Sequence, residues 1–488
     1  MSLTDQQVDR IARRLAERLQ GGTRAAPPAA TGSVTPAVSN AGRAGEPTGD
    51  GVYAGLDAAV AAAAAAGRRW RETSLEQRKA VVAAIREAML AHAEPLARAA
   101  REETGLGRYA DKVQKNRLVT LKTPGPEVLE PRAWSGDRGL TLVEWAPFGV
   151  IGAITPTTNP TSTIICNTIG MISAGNTVVF NVHPGARRCS METVRLINRA
   201  ITAAGGPADV ITAVAEPTIE TAQALMRHPG VRLLAVTGGE GVVREAMRSG
   251  KRAVCAGPGN PPVVVDATAD IPRAARDIVT GASFDNNIIC VDEKEVFVVE
   301  SVADSLVREM EKAGAYLLTD GDLRRLMPHL LAEDRGPRRH GVINKQWVGK
   351  DAGEILALAG IHRPDVRLAV AQVDADHPLV WTEQLMPVLP VVRVPDVQAG
   401  IELAVAAEHG FGHSAAMHSR DIDALSAMAR AVNTSIFVKN GPIVAGLGHG
   451  GEGYTSFTIA SPTGEGLTGP LSFSRQRRCV LVDHFRIV

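Results

Sequence analysis

Cys290 lies in the run FDNNIICVDEKEVFVV (284–299), between two isoleucines and a charged turn. A thiol there can attack a carbonyl carbon if it is ionised and reachable, because the thiolate is the nucleophile. A cysteine after Ile288 and Ile289 can equally be a small core residue. The five cysteines, Cys166, Cys189, Cys255, Cys290 and Cys479, form an odd, sparse set without CxxC spacing. That argues against a disulfide framework or a zinc site, and it fits a reducing cytoplasm. No metal-ligand spacing occurs among the twelve histidines, so no metal is expected.

Four further motifs stand in order around this cysteine. They are ITPTTNP (154–160), AVTGG (235–239), TEQLMPV (382–388) and GFGHSAAMHS (410–419). With Cys290 and its neighbours they resemble the aldehyde dehydrogenase superfamily, and especially its CoA-acylating branch. The C-terminal GLGHGGEGYTSFTIASPTGEGLTGP (446–470) resembles propionaldehyde dehydrogenases of propanediol-utilising microcompartments. The resemblance spans roughly 50–488 and implies a catalytic role for Cys290 rather than a place in the core.

The chemistry implied is covalent. Thiolate attack on an aldehyde turns the carbonyl oxygen into an alkoxide, which needs preorganised donors about 3 Å away. The backbone N–H of Cys290 and the amide of Asn159 are the candidates. Asn159 is offset by one residue from the commonest superfamily pattern, and a plain turn asparagine before Pro160 is the alternative. Hydride then passes to NAD. By resemblance, Thr155, Pro156, Thr237, Gly238, Gly239 and Gly257 contact the dinucleotide. Glu383 matches the ribose-binding glutamate, unless it is a solvated surface residue. Asn181, followed by His183 and Pro184, replaces the lysine often found on the adenosine ribose. Leu385 replaces an aromatic near the nicotinamide. His413 can take a proton from Cys290 or from CoA, since histidine titrates near neutrality; a structural histidine is the other reading. Cys166, Cys189 and Cys479 read as structural.

The release step is set by CAGPGNPP (255–262). Hydrolytic relatives carry a water-activating glutamate before the corresponding turn. Aligning on Asn260 and Pro261 puts Cys255 at that position. A thiol in an apolar stretch is a poor base for water. The thioester therefore waits for CoA, whose thiol needs little activation. The expected activity converts a short-chain aldehyde, NAD and CoA to acyl-CoA and NADH. A hydrolytic enzyme releasing the free acid, a reductase of acyl phosphates and a cargo-scaffolding protein are the competing readings.

These residues need a frame. Apolar runs at 149–156, 176–184, 208–215 and 231–239 alternate with helical stretches at 162–174, 187–204 and 223–227. That βαβ rhythm predicts a doubly wound parallel sheet. The expected fold is α/β and aldehyde dehydrogenase-like. A Rossmann-type cofactor domain takes 51–138 and 147–257, and 258–437 forms an α/β catalytic domain. Residues 139–146 and 467–488 form a β oligomerisation arm, and 438–466 return to the cofactor domain.

Residues 1–20 carry Val8, Ile11, Ala12, Leu15 and Leu19 on one helical face. Residues 21–50 are rich in Gly, Ala, Pro, Thr and Ser and read as a flexible linker. The helix either folds back or supports oligomerisation, or it docks on another protein; the resemblance points to a microcompartment shell protein. A homodimer or homotetramer is expected, in the cytoplasm and inside a bacterial microcompartment. The net charge of +1 gives no reason to expect nucleic acid or an anionic membrane as partner, and no run of apolar residues is long enough to span a bilayer. The N-terminus lacks the apolar core and cleavage site of a secretory signal.

Overall fold

A computed structural model describes residues 47–488. The amphipathic segment 1–20 and the linker up to residue 46 lie outside the described residues. The first sheet is built on five short apolar strands: Val150–Ile154, Thr177–Asn181, Ile211–Val214, Leu233–Thr237 and Ala253–Ala256. Nearly every residue in them is buried, as expected for parallel strands covered on both faces. From Val150–Ile154 the chain builds outward through Thr177–Asn181 to Ile211–Val214. It then crosses back to lay Leu233–Thr237 and Ala253–Ala256 on the other side. The build direction thus reverses between Val150–Ile154 and Leu233–Thr237. In open α/β sheets a ligand crevice forms outside the carboxyl ends of the strands at such a reversal. Thr155 and Gly238 each follow directly on one of these two ends.

The second sheet has seven strands. Its order is Ala315–Leu317, Leu368–Val373, Val388–Val394, Glu295–Val299, Pro262–Val265, Ser414–His418 and Ile436–Lys439. Every pairing in it is parallel. The last strand runs past residue 437, where the sequence reading ends the catalytic domain. Residues beyond it come back to the first sheet. The Thr458 hydroxyl lies 2.9 Å from that of Thr237, and Thr463 Oγ1 accepts the Cys255 N–H at 3.0 Å.

A third sheet is antiparallel, with Gly139–Pro147 between Ser474–Val482 and Arg132–Gly136. Arg132–Gly136, placed within the first module by the sequence reading, joins the arm instead. It is exposed along its whole length, so no apolar alternation announces it. The C-terminal strand likewise starts at Ser474 and stops at Val482, short of the predicted end. The short strands Pro47–Gly49 and Val52–Tyr53 precede the helices expected from residue 51.

Two helices set the site. Pro160–Ser173 is buried along its entire length, which suits its largely apolar and small polar composition. Tyr109–Lys122 is less ordinary, because its buried face includes Asp111, Lys112, Lys115 and Asn116. Both lysines reach Asp285, in the turn that follows helix Ile271–Ala282. The chain just before helix Tyr109–Lys122 is stitched to the same region. The Gly107 N–H donates to Gly349 O at 2.8 Å, and the Arg108 N–H donates to Asp285 Oδ1 at 2.5 Å. A side chain on Gly107 would collide with the Asp285 carboxylate, and its φ of +68° also suits glycine. Among the described residues no helix is long and apolar enough to cross a membrane.

Candidate active site

Cys290 ends a tight loop that follows helix Ile271–Ala282. Asp285, Asn286 and Asn287 have φ of +44°, +58° and +64°, three consecutive non-glycine residues in the left-handed region. Such backbone persists only where its surroundings over-determine it, and Asn and Asp tolerate it best. The side chains supply the restraint. Asn286 Nδ2 donates to Gly349 O at 3.0 Å and to Asp351 Oδ1 at 2.8 Å. Asn287 Nδ2 donates to Ala282 O and Glu293 O, both at 2.9 Å. Lys294 Nζ donates to Asn287 O and Ile289 O, and Asp292 Oδ2 accepts the Ile289 N–H at 3.0 Å. The result buries Ile288, Ile289 and Val291 and leaves Cys290 half-buried between them.

The segment after strand Ala253–Ala256 passes against this cysteine. A Cβ on Gly259 would lie 2.8 Å from Cys290 O and 2.9 Å from His413 Cγ. Only a glycine fits between them, so His413 and Cys290 flank the same backbone. The Gly259 N–H donates to Glu383 Oε1 at 3.3 Å, which places Glu383 in the cluster. Burial pushes the Cys290 thiol up to about 12, Glu383 adds to this, and Lys294 opposes it. Burial likewise lifts Glu383 to about 7, against the pull of Lys294 and the Gly259 N–H. His413 is fully buried. Its Nδ1 lies 3.0 Å from Ser414 Oγ, and its Nε2 has no hydrogen-bond partner. Burial, then Lys294, pulls it down to about 3, so contrary to the expectation from sequence it does not titrate near neutrality: its ring is neutral there and a weak base, which favours the structural reading.

Asn159 precedes the buried helix Pro160–Ser173. Its Oδ1 accepts from Lys115 Nζ at 2.6 Å, and its Nδ2 donates to Thr158 Oγ1 at 3.2 Å. Thr155 is buried with its hydroxyl unpartnered, and Pro156 is next to it at the crevice. Gly239 caps helix Glu240–Arg248, and a side chain there would meet open space. Helix N-termini attract phosphates through their unpaired N–H groups. The Gly238 N–H, by contrast, is already spent on Ala256 O at 3.1 Å.

Other expected contacts are engaged within the protein. Asn181 Oδ1 accepts from Thr221 Oγ1 at 2.6 Å, and its Nδ2 donates to Thr218 O at 3.4 Å; both partners belong to the cap of helix Ile219–Arg227. His183 Nδ1 accepts the Gly185 N–H at 3.0 Å, across Pro184. Gly257 lies against Pro462, and Leu385 adopts φ +53° while its carbonyl accepts the Gly349 N–H. Cys255 is fully buried in the apolar layer of the first sheet with Val150, Ile154 and Val236. Burial, helped by Glu465, pushes its thiol up to about 11. Cys166 and Cys189 are buried, and Cys479 is exposed on the arm. Among the described residues no group of His, Cys, Asp or Glu could hold a metal ion.

The sequence reading missed Lys112, Lys115, Asp285 and Lys294. The only signal for the first two is that Asp111, Lys112, Lys115 and Asn116 share one helical face. A polar helical face ordinarily reads as solvated.

The thiol's environment makes a testable statement. Alkylation of Cys290 by iodoacetamide, followed on its own peptide by mass spectrometry, should rise through the alkaline range. Glu383→Gln should accelerate it at any pH above 7, because the substitution removes a neighbouring negative charge. An unchanged or slower rate in the variant would contradict this placement of Glu383.

The family model described as the aldehyde dehydrogenase family matches residues 48–461. The acetylating acetaldehyde dehydrogenase EutE of Salmonella typhimurium is 54% identical over 442 residues, covering 90% of this chain and 94% of that protein. The crystal structure of Rhodopseudomonas palustris propionaldehyde dehydrogenase with bound CoA and an acylated cysteine is 49% identical. It superposes with a TM-score of 0.87 over 89% of this chain and 99% of that one. A propionaldehyde dehydrogenase from the Clostridium phytofermentans fucose-utilisation bacterial microcompartment is 46% identical, with a TM-score of 0.87 over 90% of this chain and all of that one. Extended likeness of sequence and of fold together place the chain in the aldehyde dehydrogenase family.

Proposed function

We propose that the chain oxidises a short aliphatic aldehyde with NAD and CoA to acyl-CoA and NADH, through a thioester on Cys290. The observation that carries this is the contrast between two cysteines. The loop leaves Cys290 half-buried at the margin of the core, whereas Cys255, at the position of the water-activating glutamate in hydrolytic relatives, is fully buried in apolar packing. A buried protonated thiol cannot activate water. The R. palustris relative, with bound CoA and an acylated cysteine, supports the same route.

The crevice fits a dinucleotide. Thr155 offers a buried, unpartnered hydroxyl, and helix Glu240–Arg248 offers its N-terminus behind an open Gly239. Thr237, Gly238 and Gly257 line the approach, and Glu383 holds the nicotinamide ribose. His183, Pro184 and Leu385 border the seat, while the Asn181 amide is committed to the cap of helix Ile219–Arg227. NAD, when bound there, would supply the hydride acceptor. The chain's own residues do the remainder. Cys290 releases its proton to solvent and attacks the aldehyde as the thiolate, and its backbone N–H and the Asn159 amide hold the resulting oxyanion. CoA enters as its thiolate with its proton released to solvent, because His413, pulled down to about 3 by burial and Lys294, is too weak a base to take it. The thioester carbonyl then passes its acyl group to CoA, and the Cys290 thiolate leaves.

With propanal and NAD but no CoA, rapid mixing should give one NADH per active site and then a stall. Addition of CoA should restore steady turnover, and Cys290→Ala should abolish both phases. Continuous acid formation without CoA would favour the hydrolytic reading.

We further infer a homodimer or homotetramer assembled through the arm, which exposes Trp134, Val480, Leu481 and Val482. Sedimentation equilibrium should show an assembly, and a monomer would reject it. Likeness to a microcompartment enzyme and the apolar stripe of residues 1–20 support docking on a shell protein. Fused to a fluorescent protein, residues 1–20 should gather at assembled shells and lose this with Ile11→Asp or Leu15→Asp. Diffuse fluorescence of the unmutated fusion would count against it.

A further inference from the structure

The geometry points to Lys115 as the positioning residue that fixes which end of the Asn159 amide is offered to the reacting oxygen. The inference rests on the reading of Asn159 as an oxyanion donor. An amide's oxygen and nitrogen are told apart only by their partners, and an ammonium group can only donate. Lys115 Nζ, 2.6 Å from the amide, therefore requires Oδ1 on its own side. Nδ2 must then point the other way, where it gives one N–H to Thr158 Oγ1 at 3.2 Å. Its second N–H has no acceptor among the described residues and remains for a ligand oxygen. Without Lys115 the amide can rotate and present Oδ1, which repels an alkoxide.

Lys115 is itself fixed. It is buried on helix Tyr109–Lys122, and its Nζ also donates to Asp285 Oδ2. One turn earlier, Lys112 Nζ donates to the same Asp285 oxygen at 3.2 Å and to Thr158 O at 3.5 Å. The two lysines thus brace residues 158 and 159 and the loop leading to Cys290 from a single helical face. Asp285 keeps Lys112 as a partner when Lys115 is removed, so loss of Lys115 need not leave a buried carboxylate alone.

The test is a double-mutant cycle on the single-turnover rate of NADH formation, with wild type, Lys115→Met, Asn159→Ala and both together. Removing one oxyanion donor typically costs about 10²–10³ in rate, and Lys115→Met should approach that loss with little change in half-saturation by aldehyde. The two losses should not multiply: the double variant should match Asn159→Ala within about twofold. A near-wild-type rate for Lys115→Met beside a slow Asn159→Ala overturns the inference alone, as do multiplicative losses. A near-wild-type rate for Asn159→Ala overturns the oxyanion reading and the inference with it. If Lys115→Met fails to fold by circular dichroism, Lys115→Gln, whose amide can both donate and accept and so no longer dictates the orientation, takes its place. The same non-additivity is then expected, and multiplicative losses again overturn the inference.

Discussion

The Asp285 carboxylate has no solvent exposure, and everything that positions the site depends on its being paired there. A carboxylate removed from water is tolerable only if cations and donors replace the lost hydration. Here they are Lys112 and Lys115 on helix Tyr109–Lys122 and the N–H of Arg108 just before it. Breaking such a pair by removing one side typically costs about 3–5 kcal/mol. The helix packs with the first sheet's layer, while Asp285 opens the loop that carries Cys290. One buried charge cluster therefore fixes the distance between the crevice that seats a dinucleotide and the thiol that must work beside it.

The same cluster holds the unusual backbone. Three left-handed residues in a row are maintained because Asp285, Asn286 and Asn287 each bond outside the loop. Their consequence is local: the chain reverses quickly enough to bury both neighbours of Cys290 while leaving Cys290 itself reachable. Beyond it lies a concentration of buried acids. Burial pushes Asp292 and Glu295 well above the carboxylate range and lifts Glu293 to about 8, with Lys294 opposing all three shifts. Lys294 also ties down Asn287 and Ile289 through their carbonyls. The surroundings thus hold the cysteine thiol protonated and in place, and ionisation must be drawn out by what binds.

The strands of the first sheet were legible because burial on both faces demands continuous apolar runs, and VIGAI, TVVFN and LLAVT are such runs. The Cys290 loop and its companion motifs were legible because chemistry restricts residue type there. Other elements left no such trace. Arg132–Gly136 is exposed throughout, so neither face selects apolar residues. Pro47–Gly49 and Val52–Tyr53 are too short to show a period. Lys112 and Lys115 were hidden for a different reason: charge on a helix is usually solvated, and the partner that makes them buried lies some 170 residues away in sequence. Asn181 looked like a cofactor contact by position, yet both ends of its amide serve the cap of a neighbouring helix.

The covalent route through Cys290 is tested most directly by mass. The enzyme is incubated with propanal and NAD without CoA, quenched in acid and digested. One added acyl group is expected on the peptide carrying Cys290, absent when NAD is omitted and removed when CoA is supplied before the quench. An unmodified Cys290 peptide alongside stoichiometric NADH, or an acyl group on another cysteine, would contradict it.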